Sequence, residues 1–324
     1  MSETWKIFQK DKKPHKGIEE LPAPPPWRCF NKDAFVNKKS LEEIKGETFQ
    51  VWDKEVELVN AALYLRRPLL VTGRPGTGKS SLAYAIAYQL QLGNVLKWPI
   101  NTRTTLSEGL YRYDAISRLQ DAQLANHIDI GKYVQLGSLG TAFLPNTKPR
   151  VLLIDEVDKS DIDLPNDLLN LFEEGEFEIP ELARIADQHK RIMVNTSDNQ
   201  KAEILQGRVT CQEFPLVIMT SNGERDFPPA FLRRCLQLEM PQPTPEQINQ
   251  IVQSHFSSEP DILKRAEDLI QEFIQRQKGG ENLATDQLLN VVFMLTGQNT
   301  PSKKDKEILL QYLLQPLDRV RGEF

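Results

Sequence analysis

The 324-residue chain has few cysteines, little net charge and no long hydrophobic run. Its three cysteines, Cys29, Cys211 and Cys235, are odd in number and widely separated. That argues against a disulfide framework and against a zinc site, which needs ligands at close spacing. The thiols are expected to be buried. No stretch approaches the roughly 20 apolar residues of a membrane span, and the amino-terminal MSETWKIFQKDKKPHK is too charged to hold the apolar region of a signal peptide. These absences predict a cytoplasmic protein without membrane contact. A formal net charge of −5 and a pI near 5.6 argue against a general nucleic-acid-binding surface, and the lysines of the first 40 residues read as a solvated tail.

What is present has a clear order. ELPAPPPWRCF, residues 20–30, cannot continue a helix, because proline lacks a donor and restricts the residue before it. It reads as an extended lead-in arm, either binding a partner or packing across the protein. From about Glu47 the pattern turns helical, with Val51, Val56, Val59, Ala62 and Leu63 on one predicted stripe. RPLLVTG is a short apolar strand candidate. In GKSSLAYAIAYQL, Leu82, Ala83, Ile86, Ala87 and Leu90 mark the next helix. RVLLIDE and PLVIMTSN are two more buried-strand candidates, and CLQLEM is an alternating one. Strands interspersed with helices predict an α/β fold with a largely parallel sheet covered on both faces. After MPQPTPEQ only helical patterns remain. The expected organisation is an arm over 1–46, an α/β core over 47–240 and a smaller all-helical domain over 241–324.

Three stretches carry the chemistry. GRPGTGKS (Gly73, Arg74, Pro75, Gly76, Thr77, Gly78, Lys79, Ser80) satisfies the spacing of a phosphate-binding loop between a strand and a helix. Its glycines permit a backbone that aims N–H groups at phosphate oxygens, next to the positive end of a helix. Lys79 is placed to reach the β- and γ-phosphates, and Ser80 to coordinate Mg²⁺. VLLIDE ends a strand in Asp155, a candidate metal holder at the sheet's carboxyl edge, followed by Glu156, a candidate for polarising the attacking water. Asp158 and Lys159 read as solvated loop charges. PLVIMTSN ends in Asn222, whose amide suits both γ-phosphate and water, although Asn222-Gly223 also reads as a plain turn pair.

Together these stretches resemble the AAA+ ATPases over roughly residues 47–324. GRPGTGKS resembles the Walker A motif, VLLIDE the Walker B motif with its catalytic glutamate at Glu156, and IMTSN the sensor 1 strand. PPAFLRRC resembles the segment carrying the arginine finger. The resemblance implies a P-loop NTPase sheet sandwiched by helices, with a C-terminal helical lid. Within the superfamily the chain is most similar to MoxR-type ATPases. The long excursion from Asn101 to Pro149 resembles that clade's helix-2 insert, and FEIPEL with GRVTCQEF would form its pre-sensor hairpin. Such inserts imply substrate-engaging surfaces. Where a sensor 2 arginine is expected, GGENLATDQLLNVV offers no basic residue, and Thr285 reads as a helix N-cap.

The resemblance implies an ATP- and Mg²⁺-dependent ATPase acting as a homo-oligomeric ring, commonly a hexamer, that remodels a protein client. Arg234 would be the finger, with Arg233 as helper, serving the neighbouring subunit. Surface pairing of these arginines with an acid such as Glu239 is the competing reading. An ATP-gated switch or scaffold with slow turnover, recruiting an effector, is the alternative function. A nuclease-serving motor has no matching nuclease motif or basic stripe.

Overall fold

A computed structural model describes residues 5–8, 14–28, 40–124, 129–257, 259–297 and 301–317. The strands within them are β1 (Leu69–Thr72), β2 (Leu96–Pro99), β3 (Tyr111–Tyr113), β4 (Val134–Leu136), β5 (Val151–Asp155), β6 (Glu176–Glu178), β7 (Arg191–Asn195), β8 (Lys201–Leu205), β9 (Arg208–Thr210), β10 (Leu216–Ser221) and β11 (Leu236–Glu239). The described residues divide into two compact units. One comprises 51–74 and 79–240; the other gathers residues from 1–50, 75–78 and 241–324.

The first unit is built on a parallel sheet in the order β11-β1-β10-β5-β2. Its helices flank that sheet, giving the α/β architecture of a P-loop NTPase. The apolar runs that fill LLVT, VLLID and LVIMTS up to their last one or two residues make β1, β5 and β10 the inner strands, because a strand covered on both faces is apolar almost throughout. β2 is not an apolar run. Its LKWP buries only Leu96 and Trp98, an alternation suited to an edge strand, where the terminal Pro99 is tolerated.

Two stripe predictions change. The helix Asp53–Leu65 buries Glu55, Val59 and Ala62, whereas Val51 and Val56 are exposed. Glu55 turns back to accept the Trp52 N–H at 2.8 Å, which starts the helix. The helix Lys79–Gln89 is buried through Leu82–Ala87, more than one and a half turns, and Leu90 beyond it is exposed. A helix enclosed on all sides shows no useful stripe.

The predicted pre-sensor hairpin also changes. FEIPEL and GRVTCQEF do pair, through β6 and β9 in antiparallel register. They are not the two arms of one hairpin, because the β7–β8 hairpin lies between them in sequence. All belong to a second sheet in the order β3-β4-β7-β8-β9-β6, to which the 101–149 excursion contributes β3 and β4. Strands of three to five residues leave too little alternation to be read from sequence.

In the other unit, helices Pro245–His255, Pro260–Lys278, Thr285–Thr296 and Lys303–Leu313 enclose a core that includes Phe256, Phe273, Leu288 and Val292. Thr285 is not the N-cap of its helix. Ala284 takes that position, its N–H donating to Gln287 Oε1 at 2.8 Å, while Thr285 is the buried first helical residue. The proline arm packs here: Trp27 Nε1 donates to Asn290 Oδ1 at 3.1 Å, and its ring meets His255, Phe256 and Phe293 edge-on. Of the cysteines, Cys235 is buried, and burial pushes its thiol up to about 12; Cys211 is half-buried. Cys29 lies outside the described residues. Among the described residues no helix is long and apolar enough to cross a membrane.

Candidate functional site

β1, β5 and β10 run side by side and in parallel, so the residues that end them meet at one edge of the sheet. β1 runs into Gly73 and the loop 73–80. Gly76 (φ +79°) and Gly78 (φ +90°) occupy backbone conformations that a side chain would strain. Lys79 opens the following helix and is only 7% exposed. Its Nζ donates to the carbonyls of Gly73 and Arg74 at 2.7 and 2.9 Å. Burial pushes the Lys79 pKa down, and the charges of Asp158, Asp155 and Glu156 oppose that shift.

Asp155, at the end of β5, collects the neighbouring hydroxyls. Ser80 Oγ donates to its Oδ1 at 2.6 Å, and Thr220 Oγ1, from the end of β10, donates to the same atom at 2.8 Å. Lys97, on the edge strand β2, pairs with Oδ2 at 2.6 Å. Burial would raise the Asp155 pKa, but hydrogen bonds from Lys97, Ser80 and Thr220 together hold it below the ordinary carboxylate value. A hydroxyl and an ionised carboxylate in direct contact form a hard-oxygen donor pair that fits Mg²⁺.

Glu156 follows at once in a left-handed conformation (φ +63°), uncommon for a residue with a side chain. Its N–H donates to Thr220 Oγ1 at 2.9 Å, which ties the turn to β10. Its carboxylate pairs with Lys159 at 2.8 Å. That hydrogen bond raises the Lys159 pKa. Asn222, the first residue past β10, is half-buried, and its side-chain amide has no partner among the described residues.

The reading of Asp158 and Lys159 as solvated loop charges is therefore corrected. Lys159 holds Glu156, and Asp158 is only 4% exposed, its Oδ2 accepting the N–H groups of Asn222 and Glu224 at 2.9 and 3.1 Å. After its strand the chain turns back across the sheet edge instead of leaving it, and an acid at that point enters the interior.

A family model described as AAA domain (dynein-related subfamily) matches residues 68–235, just over half of the chain. The chain belongs to this AAA family. It is thereby a nucleotide-binding protein of the AAA+ ATPase class. Comparison with curated proteins gives no match.

The matched segment ends at Cys235, and the two arginines just before it lie away from Gly73, where the phosphate loop begins. β11 pairs with β1 in parallel, Leu236 opposite Leu69, so Arg233 and Arg234 lie before the amino ends of both strands. At about 3.3 Å per residue, the span from Leu69 to Gly73 places them roughly 13 Å or more from the phosphate loop. Arg67 donates to the carbonyls of Arg233 and Arg234, the latter at 3.0 Å from Nε. Arg234 is ion-paired with Glu173 on the helix Leu164–Glu174, not with Glu239. Arg66, Arg67, Phe172, Glu173 and Arg234 border a cavity of about 240 Å³. Arg233 is exposed, and its guanidinium has no partner among the described residues.

Sequence reasoning passed over Lys97, Asp158, Lys159, Arg67 and Glu173. Only Asp158 and Lys159 carried a signal, their closeness to Asp155 and Glu156 in the chain. The other three act across strands and helices that are distant in sequence.

Proposed function

We propose that the chain is a Mg²⁺-dependent ATPase of the MoxR type, working as a ring, commonly a hexamer, that remodels a protein client. Residues 47–240 serve as its ATPase core, 241–324 as its lid and 1–46 as its arm. One observation carries the catalytic part of the reading: the Ser80 and Thr220 hydroxyls converge on Asp155, with Glu156 and Lys79 immediately beside them.

In this mechanism the backbone of Gly73, Arg74, Pro75, Gly76, Thr77 and Gly78 cradles the phosphates of ATP. Lys79 leaves the carbonyls of Gly73 and Arg74 for the β- and γ-oxygens. Ser80 and Asp155 would hold Mg²⁺, which when bound supplies neutralisation of charge on the β- and γ-phosphates. Glu156 polarises the attacking water, and the Asn222 amide orients that water and a γ-oxygen. Arg234, helped by Arg233, stabilises the transition state of a neighbouring subunit. Their place at the amino edge supports delivery in trans, because a guanidinium there does not reach its own phosphate loop. The 101–149 excursion and the β7–β8 hairpin are the surfaces offered to the client.

A second reading, an ATP-gated assembly switch with slow turnover, draws support from a different observation. Both Glu156 and Arg234 are ion-paired, with Lys159 and Glu173. Turnover separates the two readings. Steady Mg²⁺-dependent hydrolysis that a client accelerates, abolished in Glu156→Gln while ATP affinity persists, is the outcome expected for the remodeller. Assembly on ATP with almost no phosphate release would replace it with the switch, and normal turnover in Glu156→Gln would remove Glu156 from the mechanism.

A further inference from the structure

Asp158 is a buried acid in a position where the proposed chemistry makes no use of it. It stands two residues beyond Glu156, on the same short turn. One of its oxygens, Oδ2, accepts two backbone N–H groups of the segment after β10, those of Asn222 and Glu224. The other, Oδ1, is also buried and takes no hydrogen bond among the described residues. Leaving a buried acceptor unsatisfied costs on the order of 1–3 kcal/mol, and more when it is charged. A group held at such a cost calls for an explanation beyond closing a loop, since an exposed turn would need no buried charge.

These contacts join two pieces of the site through one side chain. Asp158 is covalently part of the Glu156 turn and is hydrogen-bonded to the Asn222 segment. We infer that Asp158 is a positioning residue that clamps the Asn222 segment to the Glu156 turn, so that the glutamate and the amide meet the attacking water in a fixed relation. The inference rests on the proposed roles of Glu156 and Asn222. It assigns Asp158 no contact with the reacting atoms. Two N–H bonds to one carboxylate oxygen fix where the Asn222 backbone leaves β10, and the side-chain amide follows the backbone.

The experiment is a double-mutant cycle on hydrolysis, paired with direct nucleotide binding by a fluorescent ATP analogue. Removing an aligned donor of this kind typically costs about 10²–10³ in kcat. Asn222→Ala and Asp158→Ala are each expected to lower kcat by about that factor. Nucleotide affinity in Asp158→Ala should be unchanged or slightly tighter, since a negative charge near the phosphates has gone. Asp158→Asn keeps an oxygen that accepts both N–H groups and should recover much of the lost rate. The double variant Asp158→Ala/Asn222→Ala should be no slower than Asn222→Ala alone, to within about threefold.

Multiplying losses in the double variant would overturn the clamp, as would a wild-type kcat in Asp158→Ala. An unchanged kcat in Asn222→Ala would instead sink the proposed role of Asn222, and the clamp with it. If Asp158→Ala does not fold, Asp158→Ser takes its place in the cycle. A parallel fall in kcat and nucleotide affinity would mark general disruption of the site and also count against the clamp.

Discussion

The two ends of the parallel sheet are built by opposite rules. At the carboxyl edge, polar groups are gathered onto two acids, the half-buried Asp155 and the buried Asp158: Ser80, Thr220 and Lys97 on the first, and the Asn222 and Glu224 amides on the second. At the amino edge the arginines are held by their backbone, through Arg67, while their guanidinium groups stay exposed or engage a surface acid, Glu173. Buried polar groups need their partners within the chain. Exposed cations are free to be matched by another molecule. In the proposed mechanism the carboxyl edge is the side that takes the nucleotide, and the amino edge the side that offers a group to a neighbour.

Substitutions at the two edges should separate these roles. The broadest effect is expected for Lys79→Ala, which weakens nucleotide binding and with it turnover. Losing a buried cation opposite the phosphates costs roughly 2–5 kcal/mol, so ATP affinity should fall by about a hundredfold or more in calorimetry; unchanged affinity would remove Lys79 from the phosphate cradle. Arg234→Ala should leave ATP binding intact and lower kcat by about 10³-fold or more. Mixed with Lys79→Ala protein it should regain part of the activity, because one variant supplies pockets and the other fingers. No recovery in rings shown to be mixed would end the trans assignment, and running the same mixture with Arg233→Ala identifies which arginine acts.

Arg67→Ala probes the weakest link. It removes the hydrogen bonds that hold the arginine turn but leaves both guanidinium groups in place. Hydrogen bonds from a charged donor are worth about 1.5–3 kcal/mol, so kcat should drop by about tenfold to a hundredfold with ATP affinity retained. Such a variant should be complemented by Lys79→Ala, as Arg234→Ala is. A fall in ATP affinity instead would mean that Arg67 acts through β1 on the phosphate loop, and the two edges would no longer be separate.

Much of the carboxyl edge was legible in the sequence. GRPGTGKS declares itself because its constraint is local: φ values near +80° to +90° demand glycine wherever the loop occurs. The runs before Asp155 and before Thr220 are apolar at every position, which marks inner parallel strands. The edge strand β2 was not legible, since it carries Lys97 and Pro99 and buries only alternate residues. The second sheet was half visible. β6 and β9 were paired correctly, but the hairpin between them was missed because Met193 and Leu205 put apolar side chains on its exposed face. The burial of Asp158 is not legible for a plain reason: composition places acids in solvent, and nothing local reveals that a turn folds back across a sheet edge.

Residue order alone determined that a phosphate loop follows β1, that two acids end β5 and that an amide follows β10, because each depends on a few adjacent residues and on strands buried on both faces. Tertiary structure decided which of those residues meet. Parallel pairing brought the ends of β1, β5 and β10 to one edge and left Arg233 and Arg234 at the other. It also buried Asp158 and gave Arg67 the carbonyls of the arginine turn. Burial and hydrogen bonding between distant segments are properties of the packed chain, so no window of sequence contains them.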